Sequence, residues 1–161
     1  MNNNNMNNNM NYIKKNYGDI IGTFNGVQSY SNTDNKTNDI NHYNNIYTGL
    51  KWQCVEYVRR YLIINHNITF SNVNSAFEIT DAQFTRLNAE IIIPKLDNNL
   101  VIGSIIIFPK DYEIDSPDGH VAIISSILPS GINVAEQNYN DNFFPRFISY
   151  NELKNVKIIN L

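Results

Sequence analysis

Gly49-Leu50-Lys51-Trp52-Gln53-Cys54-Val55-Glu56-Tyr57-Val58-Arg59-Arg60 holds the single cysteine of a 161-residue chain, at the point where irregular polar sequence gives way to a helical pattern. Val55, Val58, Tyr61, Leu62 and Asn65 recur at the i, i+3, i+4, i+7 spacing of one helix face, which predicts a helix over residues 52–64. Glu56, Arg59 and Arg60 fall largely outside that stripe, and Asn65-His66-Asn67 supplies a polar stop. A helix N-terminus carries unsatisfied N–H groups and about half a positive charge, so a cysteine placed there is biased toward thiolate, the nucleophilic form. The competing reading is a small buried hydrophobe, and the rest of the chain has to decide between them.

Upstream, residues 12–47 read as an extended arm, with Ile20-Ile21 and Val27 as short apolar pieces among Gly, Asn and Asp turn formers. Asparagine fills eight of the first eleven residues, a low-complexity tail over 1–11 that leaves 12–161 as one domain. Downstream, a second helix is predicted over 75–87, with Ala76, Ile79 and Phe84 on its apolar side. After Pro94 the pattern becomes β-branched runs at 101–108, 121–128 and 132–137, with shorter candidates at 143–149 and 156–159. Helices followed by an antiparallel meander define an α+β fold.

Composition narrows the partners. Twelve Lys and Arg against fifteen Asp and Glu give a net charge of −3 with no basic block, which argues against nucleic acid. The apolar runs are too short to span a bilayer, and the first residues lack the charged and apolar regions of a secretion signal. A cytoplasmic protein acting away from membranes is the expectation. One cysteine and three scattered histidines form no metal-ligand set, and no Gly-rich phosphate loop is present, so neither a metal nor a cofactor is expected.

A thiol nucleophile needs a base. His42 lies among loop Asn and Asp residues and reads as solvated; His66 follows the helix and reads as a cap or surface residue. His120 follows Asp118-Gly119 and opens the run Val121-Ala122-Ile123-Ile124, where a ring can face a cleft. Glu136 lies sixteen residues further on, with Leu128 midway beside the turn formers Pro129-Ser130-Gly131. A hairpin folded there sets His120 and Glu136 side by side on one face, because opposite residues of an antiparallel pair point the same way. Glu136 shares its face with Ile132 and Val134, and a carboxylate in an apolar row needs such a partner. The alternative is an exposed strand with Glu136 in solvent. Cys54, His120 and Glu136 together make a thiol–imidazole–acid set, with the Cys54 N–H and the Gln53 side-chain amide as candidate oxyanion donors.

Residues 47–60 resemble the cysteine motif of the amidase domain of glutathionylspermidine synthetase/amidase and trypanothione synthetase, a domain of the CHAP (cysteine, histidine-dependent amidohydrolase/peptidase) superfamily. Asp118-Gly119-His120-Val121-Ala122-Ile123-Ile124 is similar to its histidine motif and Val134-Ala135-Glu136-Gln137-Asn138 to its acidic motif. The resemblance extends over about residues 18–153. It implies a papain-like CHAP fold, the roles of nucleophile, base and orienting acid for Cys54, His120 and Glu136, and cleft positions for Gln53, Arg59 and Asn138. Arg59 has a second reading, as a surface cation pairing with Glu56 or another carboxylate. The implied reaction is hydrolysis of an amide in a small peptide or peptide–polyamine conjugate, through a thioester. Asn72 and Asn74 depart from the Asp and Gly that the family tends to carry near its cleft, and no ligase domain fits in this chain. Rival readings are a peptidoglycan amidase or endopeptidase, and a silent binding module.

Overall fold

A computed structural model describes residues 14–33, 38–97, 99–112, 117–141 and 144–161; the Asn-rich tail lies outside them. The arm is built of two hairpins, β1 (Ile20–Phe24) with β2 (Val27–Tyr30), and β3 (Ile40–Tyr43) with β4 (Ile46–Leu50). Helix α1 (Cys54–His66) follows, then β5 (Ile68–Phe70), β6 (Phe84–Arg86) and β7 (Ile91–Ile92) as a small three-stranded sheet. The remaining strands are β8 (Lys95–Asp97), β9 (Ile105–Phe108), β10 (His120–Leu128), β11 (Gly131–Ala135), β12 (Arg146–Ser149) and β13 (Lys157–Asn160). They form one antiparallel sheet in the order β12-β11-β10-β9-β13-β8.

Alternation along β9 and β10 divides the core. Ile105, Ile107, Val121 and Ile123 join Tyr57, Val58, Tyr61 and Leu62 of α1 in one apolar cluster, while Ile106, Phe108, Ala122 and Ile124 join Ile132, Val134 and Ile148 in another. The helix therefore packs on one side of the central hairpin. An α+β fold with antiparallel sheets is what the sequence pattern called for.

Two expectations need correction, and one face of the helix needs an account. The helix begins at Cys54 rather than residue 52, because Gln53 stays extended (φ −80°, ψ 158°), and it runs to His66, where Asn67 caps it in the left-handed region. The second predicted helix is a 3₁₀ turn, Ala76–Asp81, followed by a strand. Phe84 pairs with Phe70 in β5, their rings 5.5 Å apart, and this non-local pairing overrides the local helical spacing. Finally, Glu56, Arg59 and Arg60 are buried. The side of α1 opposite its apolar stripe packs against the arm hairpins, so a polar face is not a solvated one.

Candidate active site

Helix α1 delivers Cys54 as its first residue, and β10 delivers His120 as its first residue. Glu136 lies just beyond the end of β11, and its own carbonyl accepts a hydrogen bond from the Ser29 hydroxyl of β2. Cys54 and His120 line a cleft of about 720 Å³, with Glu136 buried behind His120. His120 Nε2 is 2.8 Å from Glu136 Oε2, and the ring also engages Cys54 through a side-chain hydrogen bond. With Nε2 committed to Glu136, Nδ1 is the nitrogen left for the thiol proton.

His120 and Glu136 reach each other by a different register from the one predicted. The turn is tighter, with Leu128 opposite Gly131, and the pairing slips between Ile124 and Ser126 so that Ile124 faces Val134. Continued past Ala135, that ladder sets Glu136 across from Ala122, and His120 two residues along. Without the slip at Ser125, Glu136 would face Ile123 and point away from His120. The bulge restores the parity that puts imidazole and carboxylate on one face, as bulges beside functional sites re-aim side chains.

Arg146 is the member of the site that sequence reasoning missed. Its Nε donates to Glu136 Oε1 and its Nη2 to Oε2 at 3.0 Å, a two-pronged grip on a carboxylate that is only 3% exposed. A signal was present: Arg146 pairs with Val134 across β11 and β12, which puts its side chain on the face that carries Glu136. The Arg146 guanidinium lies 3.7 Å from the Tyr139 ring centroid, and Tyr139 and Phe108 also flank His120 at 5.7 and 5.9 Å.

These contacts fix charge states. Burial alone would strip the proton from His120; Cys54 and the Glu136 carboxylate beside it outweigh burial and push the pKa up to about 10. Burial alone would likewise favour neutral Glu136, but His120 and Arg146 hold its carboxyl below the usual range.

The remaining candidates divide. Asn138 Nδ2 donates to Gln53 Oε1, and Asn32 Nδ2 donates to Asn138 Oδ1 at 2.8 Å. This relay occupies the oxygen end of the Gln53 amide and leaves its NH₂ end as the donor; both Gln53 and Asn138 line the cleft. Arg59 lines it too, buried, with Nη1 donating to the Thr48 carbonyl at 2.8 Å and Nη2 to the Ser71 carbonyl at 3.2 Å. Its guanidinium lies 4.3 Å from the Phe70 ring centroid. Arg59 is no surface cation, and the partner of Glu56 is Arg60. His42 and His66 lie on the exposed side of their elements, away from the cleft lining. Among the described residues no three His, Cys, Asp or Glu side chains gather to hold a metal, and no helix is long and apolar enough to cross a membrane.

Gly119 sets the entry of His120 into β10. Its φ is +64°, and a Cβ there would lie 2.6 Å from the Phe108 carbonyl oxygen, on the residue paired with His120. Gly119→Ala is therefore expected to cost about 1–2 kcal/mol for the left-handed backbone, plus the clash. It should lower the melting temperature and slow Cys54 alkylation together. A variant that melts and alkylates like the wild type would show that the turn is slack.

A thiol at a helix start, an imidazole at a strand start and an acid just past the end of the neighbouring strand sit on an α+β fold with antiparallel sheets. The chain belongs to the CHAP domain family, whose match covers residues 42–138; CHAP domains are amidase and peptidase hydrolases. Over 99 residues it is 37% identical to the bifunctional glutathionylspermidine synthetase/amidase of Escherichia coli (strain K12), and equally to that of Shigella flexneri, covering 57% of this chain and 16% of each relative. It is 29% identical over 111 residues to a glutathionylspermidine synthase of Crithidia fasciculata, covering 63% of this chain and 15% of that protein. The matched part is thus a small share of each relative's length. In fold the chain is similar to a crystal structure of an N-acetylmuramoyl-L-alanine amidase from Staphylococcus aureus. That likeness has a TM-score of 0.51 at 15% identity and covers 82% of this chain and 36% of the other.

Proposed function

We propose that this chain is a cysteine amidase that hydrolyses an amide bond of a glutathionylspermidine-like conjugate, with Cys54 as nucleophile, His120 as base and acid, and Glu136 as the acid that orients His120. The observation that carries it is the relay from Cys54 through His120 to Glu136 at the wall of the cleft. His120 Nδ1 accepts the Cys54 proton, and the sulfur attacks the amide carbonyl carbon. As the C–N bond breaks, the imidazolium returns that proton to the departing amine, leaving a thioester. A water molecule, deprotonated by His120, then attacks the thioester carbonyl; the carboxylic acid leaves and the thiol is restored. The negative oxygen of each tetrahedral intermediate is stabilised by the Cys54 N–H, which has no intrahelical acceptor as the first helical residue, and by the Gln53 side-chain NH₂ oriented through Asn138. Arg59 and Asn138 serve as substrate contacts in the cleft.

The conjugate is favoured because relatives 37% and 29% identical to this chain over the matched stretch carry glutathionylspermidine in their names. One observation keeps peptidoglycan as a second reading: the cleft lining includes Asn72 and Asn74 where the family tends to carry Asp and Gly, so a carboxylate to meet a polyamine is missing at Asn72.

The test is turnover of glutathionylspermidine followed by mass spectrometry, with purified muropeptides in parallel and Cys54→Ala as control. Release of glutathione and spermidine by the wild type, and none by the variant, is the expected result. Cleavage of muropeptides alone would move the protein to the second reading. Cleavage by the Cys54→Ala variant would rule out the thiol mechanism itself.

A further inference from the structure

We propose that Arg146 is a positioning residue of this hydrolase, fixing the Glu136 carboxylate so that Oε2 faces Nε2 of His120. The inference rests on the triad reading above and adds a fourth side chain to it.

Three observations carry it. First, the geometry is two-pronged: Nε and Nη2 take one Glu136 oxygen each, which removes the carboxylate's freedom to rotate about its last bond. Second, the grip is backed. The guanidinium lies against Tyr139 at 3.7 Å and within 5.5 Å of Phe108, the same two rings that flank His120. Third, Arg146 is 9% exposed and arrives on β12 in register with Val134, so the sheet itself aims it.

The charge has a purpose as well as the shape. A carboxylate this buried, facing only a neutral imidazole, would favour its protonated form, and a protonated Glu136 gives His120 no charge to lean on. The charged and titratable groups facing Glu136 are His120 on β10, Arg146 on β12 and the Tyr57 hydroxyl on α1. Cys54 lies beyond His120, and Glu152 lies within the field of Arg146. Arg146 is the one member of that set whose charge is permanent across the working pH range.

Cys54 is the sole cysteine, so alkylation by iodoacetamide reads the site without a substrate. Rates are measured from pH 5 to pH 8 in wild type, Arg146→Met, Arg146→Lys, Glu136→Gln and the Arg146→Met/Glu136→Gln pair, each checked for folding by circular dichroism. Arg146→Met is expected to slow alkylation severalfold at pH 5, where Glu136 without its arginine takes up a proton, with the deficit shrinking toward pH 8. Arg146→Lys, which keeps the charge and loses the fork, should recover the wild-type pH dependence at an intermediate rate. In the Glu136→Gln background the Arg146→Met change should add no pH-dependent loss. A folded Arg146→Met protein that alkylates like wild type throughout, or with a deficit equal at every pH, would overturn the proposal. If Arg146→Met is silent while Glu136→Gln is slow, only Arg146 loses its role. If Glu136→Gln itself alkylates like wild type, the triad reading fails and this inference with it.

Discussion

Cys54→Ala is expected to abolish amide hydrolysis, by on the order of 10⁴-fold or more, while the protein stays folded, and His120→Gln to come close to the same loss. The first removes the atom that bonds to the substrate; the second removes the group that takes and returns its proton. Cys54 is a small side chain at the rim of the core, so its replacement by alanine leaves the helix packing in place. The same variant makes a second, independent measurement possible. After burial, which opposes it, Cys54 is the largest influence raising the His120 pKa to about 10. In Cys54→Ala, the imidazole followed by NMR should therefore titrate at a lower pH than in the wild type. The sign for stability follows from the same shift. A histidine whose folded pKa exceeds its unfolded value of about 6.5 contributes its full stabilisation below that pH and loses it as pH rises toward about 10. Wild-type kcat/KM should fall over that same alkaline limb, as the imidazolium that protonates the leaving amine is lost. His120 titrating identically with and without Cys54 would show that no thiolate sits beside it.

How far the sequence carried this site depends on the range over which each feature is decided. Cys54 at a helix start and His120 at a strand start are local features, and both stand where a few neighbouring residues place them. The meeting of His120 with Glu136 was legible as a hairpin closing on itself. The register that achieves it was not, because one residue at Ser125 shifts the ladder and no composition cue marks it. Arg146 escaped for a related reason: its role depends on which residue of β11 it faces, a property of two strands rather than one. The second helix failed by the same rule, since Ala76, Ile79 and Phe84 do lie at helical spacing, but Phe84 is claimed by β5. The sequence reading set Glu56 and Arg60 outside the apolar stripe and went no further. Helical periodicity identifies the apolar side of α1, but it is silent on what covers the other side. Here the two arm hairpins do, and the polar residues of that face bond to them.

Glu56 is accordingly where the largest loss of stability is expected. It is fully buried, and its carboxylate accepts four hydrogen bonds: from Arg60 Nε at 2.7 Å, Arg60 Nη2 at 3.1 Å, Gln137 Nε2 at 2.9 Å and Asn41 Nδ2 at 2.9 Å. Those partners belong to α1, the residue after Glu136, and the second arm hairpin. Arg60 continues to the Gln28 carbonyl of the first hairpin, and Gln137 to the Tyr30 N–H and the Gln53 carbonyl. One carboxylate thus joins both hairpins to the helix start that carries Cys54 and to the strand end that carries Glu136. Glu56→Ala leaves the Arg60 guanidinium buried without its counterion, which costs about 3–5 kcal/mol, or roughly 10 °C in melting temperature for a domain of this size. Replacing both partners is the informative control. Glu56→Leu/Arg60→Leu removes the buried charges together, and it should melt above Glu56→Ala despite carrying one more substitution, because an apolar pair needs no compensation. Thermal unfolding of the three proteins decides the matter. A Glu56→Ala protein that melts within about 2 °C of the wild type would mean that water or a rearranged Arg60 compensates the charge. The arm hairpins would then be held by their apolar contacts alone. The opposite ranking, with the double variant the least stable, would mean that the network's hydrogen bonds to Gln137 and Asn41 outweigh the desolvation of its charges. In the expected ranking the network's contribution is geometric: it keeps the Cys54 helix start and the Glu136 strand end at a fixed separation, and His120 can bridge the two only while that separation holds.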